Sequence, residues 1–263
     1  MDGLEYARQL VGDAKRVEVF TGAGMSADSG IATYRDAVTG VWENVDPQAM
    51  ASIDAWARDP EPMWAWYLWR ARLASRAEPN AGHLAIAEWG RREGVRVTVT
   101  TQNIDNLHER AVLVNSTPDG PNNPDDIVHL HGSLFEFRCS ICSRPYKGEI
   151  ELPEEPVEKL TPPSCPLCGN LVRPGVVWFG EPLPPKEWDE AERRMVEADL
   201  VVIVGTSGVV FPAAGLPLLA HELGTPIIEV TPMHTELSRI SNVTLVDTAA
   251  KALPELLRGP RLD

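Results

Sequence analysis

Four cysteines stand as two CxxC pairs, Cys139 with Cys142 in CSIC and Cys165 with Cys168 in CPLC, separated by 22 residues. Each pair offers two thiolates to one ion, and four thiolates complete a tetrahedral Zn²⁺ shell that leaves no position for water or substrate. The spacing therefore predicts one structural zinc. Four unrelated buried thiols or a redox pair are the alternatives, and the prolines and glycines beside the knuckles favour the metal. In FTGAGMSADSGIATYRD, residues 20–36, Gly22 and Gly24 follow an apolar run, where backbone amides and a helix N-terminus can approach a pyrophosphate. The full GxGxxG spacing is absent, so this turn alone is a weak signal. TQNID, 101–105, ends a second apolar run with Gln102, Asn103 and Asp105, and GTS, 205–207, ends a third. Three polar ends converging on one crevice imply a nucleotide. HLHGS, 129–133, sets His131 directly before the cysteine region. With no Ser, His and Asp triad and no second metal cluster apparent, His131 is the candidate general base, and the other five histidines read as structural.

A different chemistry is suggested by PEPMWAWYLWRARLASR, residues 60–76, where Tyr67 and Arg70 lie three positions apart among Trp64, Trp66 and Trp69. Asp59 can cap this helix and Pro60 suits its first position, so Tyr67 and Arg70 share a face. Arg70 either packs its stem on tryptophan or clamps an anion.

The elements that must position these groups read as strand, turn and helix units: RVEVFTGAGMS, VRVTVTTQNIDNLHER, ADLVVIVGTSGVV and TPIIEVTPMHTEL. Short apolar runs of this kind indicate buried parallel strands, and their repetition makes an α/β, Rossmann-like doubly wound sheet with ligands beyond the carboxyl ends of the strands. Two regions break the pattern, the tryptophan-rich 36–80 and the cysteine-bearing 132–175, and together they predict a smaller helical and zinc domain beside a main domain of 1–35, 81–131 and 176–263. Residues 113–126 are dense in Asn, Asp, Pro and Gly and read as an exposed loop. A chain of 263 residues with 43% hydrophobic and 24% charged composition is ordinary for a soluble protein, and it carries neither a membrane-length apolar run nor a secretory leader. The expectation is a cytoplasmic monomer. Its net charge of −14 argues against nucleic-acid binding, which needs clustered Lys and Arg.

Taken together, GAGMSADSGI, TQNID, HLHGS, the CxxC pairs, VVWFGE at 176–181 and GTS resemble, in order, the motifs of the sirtuin family of NAD-dependent protein deacylases, over nearly the whole chain. The resemblance implies a Rossmann-like domain and a small zinc domain, with NAD⁺ and an acyl-lysine protein or peptide meeting between them. NAD⁺ would be a consumed co-substrate. The acyl oxygen attacks C1′ of the nicotinamide ribose and expels nicotinamide; His131 serves as base for the ribose hydroxyls; water then releases free lysine and 2′-O-acyl-ADP-ribose. By the same resemblance Gly22, Ala23, Ser26, Arg35, Gln102, Gly205, Ser207, Thr231 and Ala249 match positions lining the dinucleotide. Asn103 and Asp105 match those holding the nicotinamide end and a water, and Val177, Phe179, Gly180 and Glu181 match the strand that pairs with the peptide. Ala32, Tyr34, Thr231 and Asp247 depart from the family's usual Pro, Phe, Asn and Gly. In one branch of the family, which removes succinyl, malonyl or glutaryl groups, a Tyr-x-x-Arg pair binds the distal carboxylate; Tyr67 and Arg70 match it, and Ala51 matches a small residue that makes room for the longer chain. The alternatives are a deacetylase with little desuccinylase activity, a protein mono-ADP-ribosyltransferase, a nicotinamide oxidoreductase and a noncatalytic zinc module. Release of nicotinamide without reduced cofactor separates the first two from the oxidoreductase, and ADP-ribose left on protein marks the transferase.

Overall fold

The computed structural model describes residues 2–31, 46–114 and 126–258. Arg35, Ala32, Tyr34 and most of the 113–126 loop lie outside the described residues. Six strands form one parallel sheet: β1 (Arg16–Thr21), β2 (Arg96–Thr101), β3 (Ile127–His129), β6 (Leu200–Val204), β7 (Ile227–Val230) and β8 (Val243–Leu245), in the order β3-β2-β1-β6-β7-β8. The chain builds outward from β1 to β3, then returns to the other side of β1 and builds outward again. Strand order reverses between β1 and β6, which opens a crevice at their carboxyl ends. The turns bearing Gly22, Gln102 and Gly205 each follow the last residue of β1, β2 and β6 respectively.

Both sheet faces are buried, which is why the strands read as continuous apolar runs rather than alternating ones. On one face Val17, Val19, Val99, Val202, Val204 and Ile228 pack against α1 (Gly3–Asp13), α5 (Ala81–Trp89) and α9 (Ala249–Leu257), through Ala7, Ile86, Trp89 and Leu253. On the other, Phe20, Val128, Val201 and Ile203 meet Ala191 and Met195 of α7 (Pro185–Glu197) and Leu216 of α8 (Leu216–Glu222). Glu18 alternates onto this second face with Phe20 and is fully buried, so a carboxyl sits where the pattern calls for an apolar side chain.

A second, antiparallel pair joins β4 (Gly132–Cys139) to β5 (Val172–Val176). Against it lies α4 (Pro60–Arg76), preceded by α2 (Pro47–Met50) and α3 (Ile53–Arg58). Asp59 caps α4 by accepting from Glu61 N, and Pro60 occupies its first turn as expected, since its missing N–H has no partner there anyway. Met63, Trp66, Tyr67 and Ala71 pack on Leu134, Val176 and Trp178, while Trp64 and Leu68 pack on Cys139, Cys165 and Val172. The segment 152–161 runs along α4 in the opposite direction. Arg72 donates to the carbonyls of Leu152 (2.6 Å) and Pro153 (3.1 Å) near one end, and Leu160 N bonds Glu61 O (3.3 Å) at the other. The helix carrying Tyr67 and Arg70 is thus tied to the cysteine region by polar contacts as well as by tryptophan burial.

Among the described residues no helix is long and apolar enough to cross a membrane.

Candidate active site and metal centre

The cysteine Sγ atoms all lie within 4.8 Å of one another, with Cys139 to Cys168 at 3.4 Å and Cys142 to Cys165 at 3.9 Å. A Zn–S length of about 2.3 Å places tetrahedral sulfurs about 3.8 Å apart, so the cluster has the size the ion requires. Backbone N–H groups of Ile141 and Cys142 donate to Cys139 Sγ at 3.5 and 3.4 Å, and Asn170 Nδ2 approaches Cys168 Sγ at 3.4 Å. Donors aimed at sulfur stabilise thiolates; hydrogen bonds from Asn170 push the Cys168 thiol down to about 6. Size and donor chemistry both fit a Zn²⁺ held by all four cysteines, with every ligand position filled by protein.

At the mouth of the crevice the β1 and β6 turns touch. Gly24 N donates to Gly205 O (2.8 Å) and Gly22 N to Val204 O (3.0 Å). A Cβ on Gly205, whose φ is +59°, would come within 2.4 Å of Gly24 C. These glycines allow two backbones to meet, and the amides of Gly22, Gly24, Met25 and Ser26 all donate inside the protein rather than outward to a phosphate. The close approach of two turns far apart in sequence is what requires glycine at Gly22, Gly24 and Gly205.

Behind that turn lies a buried polar network. Ser26 Oγ donates to Asp105 Oδ2 (2.7 Å), and Asn103 Nδ2 donates to Gly22 O (3.0 Å) and Ser26 Oγ (3.1 Å). Asp105 Oδ1 accepts from Leu107 N at the start of α6 (Leu107–Val114). Burial raises the Asp105 pKa, partly offset by these two donors. With its amide hydrogens spent, what Asn103 offers a ligand is its Oδ1 acceptor. Gln102 Nε2 bonds Thr206 Oγ1 (2.9 Å), which links the β2 and β6 turns beside Gly205 and Ser207.

His131 completes the arrangement. Its Nδ1 lies 3.0 Å from Gln102 O, and a carbonyl only accepts, so Nδ1 carries the hydrogen and Nε2 holds the lone pair. Burial lowers its pKa below 6.5, against a smaller opposing effect of the Gln102 bond. A neutral imidazole whose other nitrogen is unencumbered by that bond has a lone pair with which to accept a proton at neutral pH.

The other expected site residues fall as follows. Thr231 Oγ1 is committed to Met233 O (2.8 Å). Ala249 is buried at the start of α9, next to a buried Thr248 hydroxyl that has no partner among the described residues. Ala51 is buried against the Tyr67 cluster, and the Arg70 guanidinium carbon stands 4.8 Å from the Trp66 ring centre and 5.7 Å from that of Tyr67. Residues 177–181, the segment matched to the peptide-pairing strand, lie beyond the end of β5, with Val177 N bonding His131 O (2.9 Å). Regular pairing stops at Val176; Phe179 N bonds Ala51 O (2.9 Å), and Ile53 N bonds Phe179 O (3.3 Å). Gly180, at φ +92°, then turns the chain back. Glu181 is drawn inward, because its carboxylate meets both terminal nitrogens of the buried Arg173 and accepts from Trp178 N (2.8 Å). The sequence reading missed Arg173, because a single arginine in an apolar strand carries no periodic signal. His129, one of the five histidines read as structural, bonds both Asn103 O and the Glu109 carboxylate.

A Sir2 family model matches residues 22–212. The NAD-dependent protein deacylase of Corynebacterium glutamicum is 60% identical over 97% of this chain and 95% of its own length. A solved Sir2 homolog–NAD complex superposes with a TM-score of 0.84 at 41% identity, over 98% of this chain and 93% of that one. A mutant Sir2 homologue bound to 2′-O-acetyl ADP-ribose superposes with the same score at 40% identity, over 98% and 96%. With the matched span running from the β1 turn through the cysteine cluster to the β6 turn, the chain belongs to the Sir2 family.

Proposed function

We propose that this protein is an NAD-dependent protein-lysine deacylase that removes succinyl and malonyl groups as well as acetyl, releasing nicotinamide, free lysine and 2′-O-acyl-ADP-ribose. The observation that carries the reaction type is the state of His131: neutral, locked through Nδ1 to Gln102 O, and basic at Nε2 beside the Ser26, Asn103 and Asp105 network. The name of the corynebacterial relative and the acetylated product bound to a Sir2 homologue support the same reading. In it, His131 Nε2 accepts a proton from a ribose hydroxyl of NAD⁺. Asn103 presents Oδ1 to the nicotinamide end, while Ser26 and Asp105 keep Asn103 oriented. Cys139, Cys142, Cys165 and Cys168 would hold a zinc that braces the region around α4, with no ligand position left open for chemistry. Residues 177–180 line the entry of the acyl-lysine peptide, and Glu181 supports that segment from within.

The acyl preference rests on Tyr67 and Arg70 sharing one face of α4, with Ala51 in the same buried cluster as Tyr67. A guanidinium meets a carboxylate bidentately, with charge-assisted bonds of about 1.5–3 kcal/mol, which an acetyl group has nothing to use. Succinyl-, malonyl- and acetyl-lysine forms of one peptide, each incubated with NAD⁺ and followed by nicotinamide release, test the reading. His131→Tyr should lower all three rates by about 10²–10⁴-fold, the usual share of general base catalysis. Reduced cofactor without nicotinamide, or full turnover by His131→Tyr, would refute it.

A further inference from the structure

Two histidines, two residues apart, grip consecutive carbonyls of one loop. His131 Nδ1 reaches Gln102 O at 3.0 Å, and His129 Nδ1 reaches Asn103 O at 3.0 Å. Each Nδ1 therefore carries a hydrogen. The rings differ at the other nitrogen, because His129 Nε2 is hydrogen-bonded to the Glu109 carboxylate of α6. With Glu109 ionised, two acceptors on one ring call for two hydrogens, so below its raised pKa His129 is an imidazolium paired with a carboxylate, whereas His131 is neutral above its lowered one. The paired side chains are only 18% and 20% exposed, so water does little to replace either partner.

The charged and titratable groups facing His129 are Glu109 and His108 from α6 and Asp105 from the loop after β2. Burial opposes the charge on His129, but the bond and charge of Glu109, with the Asn103 carbonyl and Asp105, outweigh it and raise the pKa above 6.5. Burial likewise opposes the Glu109 carboxylate, and His129 outweighs it there, holding that pKa below its usual value. His108 is held neutral by burial and adds no competing charge. The pair is thus intact between the depressed pKa of Glu109 and the raised pKa of His129, and it is lost as pH rises through the latter.

We propose that His129 and Glu109 are positioning residues for deacylation: their ion pair pins the Asn103 carbonyl, and its discharge on the alkaline side frees this loop and sets the alkaline limb of the activity profile. The proposal rests on the deacylase reading above. Asn103 transmits the effect, since its side chain braces Gly22 O and Ser26 Oγ. When His129 loses its second proton, one ring nitrogen must present a lone pair to an acceptor, either to Glu109 or to Asn103 O. The acid limb belongs to a different ring, His131, whose neutral form is the working base.

The test is the pH dependence of kcat and of KM for NAD⁺ and an acetyl-lysine peptide, measured on the full chain and on Glu109→Gln and His129→Gln, alongside ¹⁵N-resolved imidazole NMR. Glu109→Gln should move the alkaline limb of kcat to lower pH by about one unit, as expected when an opposite charge is removed from a neighbour's reach. His129→Gln, which can donate to Asn103 O but does not titrate, should lose that limb and fall several-fold in kcat at neutral pH. In the wild type the His129 resonances should titrate with the limb. A wild-type limb retained in both variants, with loss of activity equal at every pH, would reduce the pair to a structural contact and overturn the proposal; so would a His129 ring that is neutral throughout. Absence of nicotinamide release by the wild type at every pH would instead overturn the deacylase reading, and the positioning role with it, even where the imidazole titrates as described.

Discussion

Arg70→Met separates a structural arginine from a substrate-binding one, because the two roles differ in magnitude. The guanidinium stands 4.8 Å from the Trp66 ring centre and is half-buried, so its stacking contributes about 0.5–2 kcal/mol to folding. Methionine keeps the apolar stem against the tryptophans. Burial of Trp64, Trp66, Tyr67 and Leu68 and the backbone contacts of Arg72 hold α4 independently of position 70. For a chain of this size, about 2–4 °C of melting temperature accompanies each kcal/mol, so loss of this stacking contact should lower the melt by no more than about 8 °C. Loss of the partner to a desolvated succinyl carboxylate costs more, about 2–5 kcal/mol. At about 1.4 kcal/mol per decade, that lowers kcat/KM for a succinyl peptide by roughly 30- to 3,000-fold. An acetyl peptide of the same sequence loses no ionic partner and should stay within a few-fold of wild type. Tyr67→Phe should follow the same pattern more weakly, since one hydroxyl is removed and the charge remains. The assay is kcat/KM on both peptides together with a thermal melt. Equal loss on both peptides with a large drop in melting temperature would refute the reasoning and leave Arg70 as a brace for its helix.

Three further outcomes follow from side chains the fold has committed. Glu181→Ala should cost about 3–5 kcal/mol of stability by leaving Arg173 charged and buried, with little change in peptide KM; an unchanged melt with a raised KM would return this carboxylate to the substrate side. Burial lifts the Glu18 pKa to about 7, against an ordinary value of 4.5, so the protein should lose about 3 kcal/mol from this group as pH rises from about 4.5 through 7. Glu18→Gln should remove that loss, making the variant more stable than wild type under alkaline conditions in urea melts, and equal pH profiles for the two would contradict the assignment. Cys139→Ser should reduce zinc content and stability together, because Cys139 is both a cluster member and packed beneath Trp64 and Leu68. Metal-free protein that melts like the wild type would exclude a structural zinc.

Local rules determined what was legible in the sequence. The two CxxC spacings point to a four-sulfur cluster, because each knuckle holds its thiols close within one turn of chain. Runs such as LVVIV mark strands buried on both faces, and Asp59 and Pro60 mark the start of α4. The glycine turn, TQNID and HLHGS fall at strand ends because α/β connectivity puts every such turn at the same edge of the sheet. What tertiary structure decided is which partner each polar group meets, and hence its charge. His129 and His131 are the same residue type two positions apart, yet one is an imidazolium because Glu109, 20 residues earlier in the chain, reaches its ring, and the other is a neutral base. Glu181 in VVWFGE matches, by family resemblance, the strand that pairs with the peptide, and nothing in that motif foretells that the turn at Gly180 folds its carboxylate onto Arg173. Gly24 and Gly205 are glycines because their backbones touch across the sheet's switch point. Protonation and close approach depend on distances between segments remote in sequence, and periodicity along one segment carries no information about them.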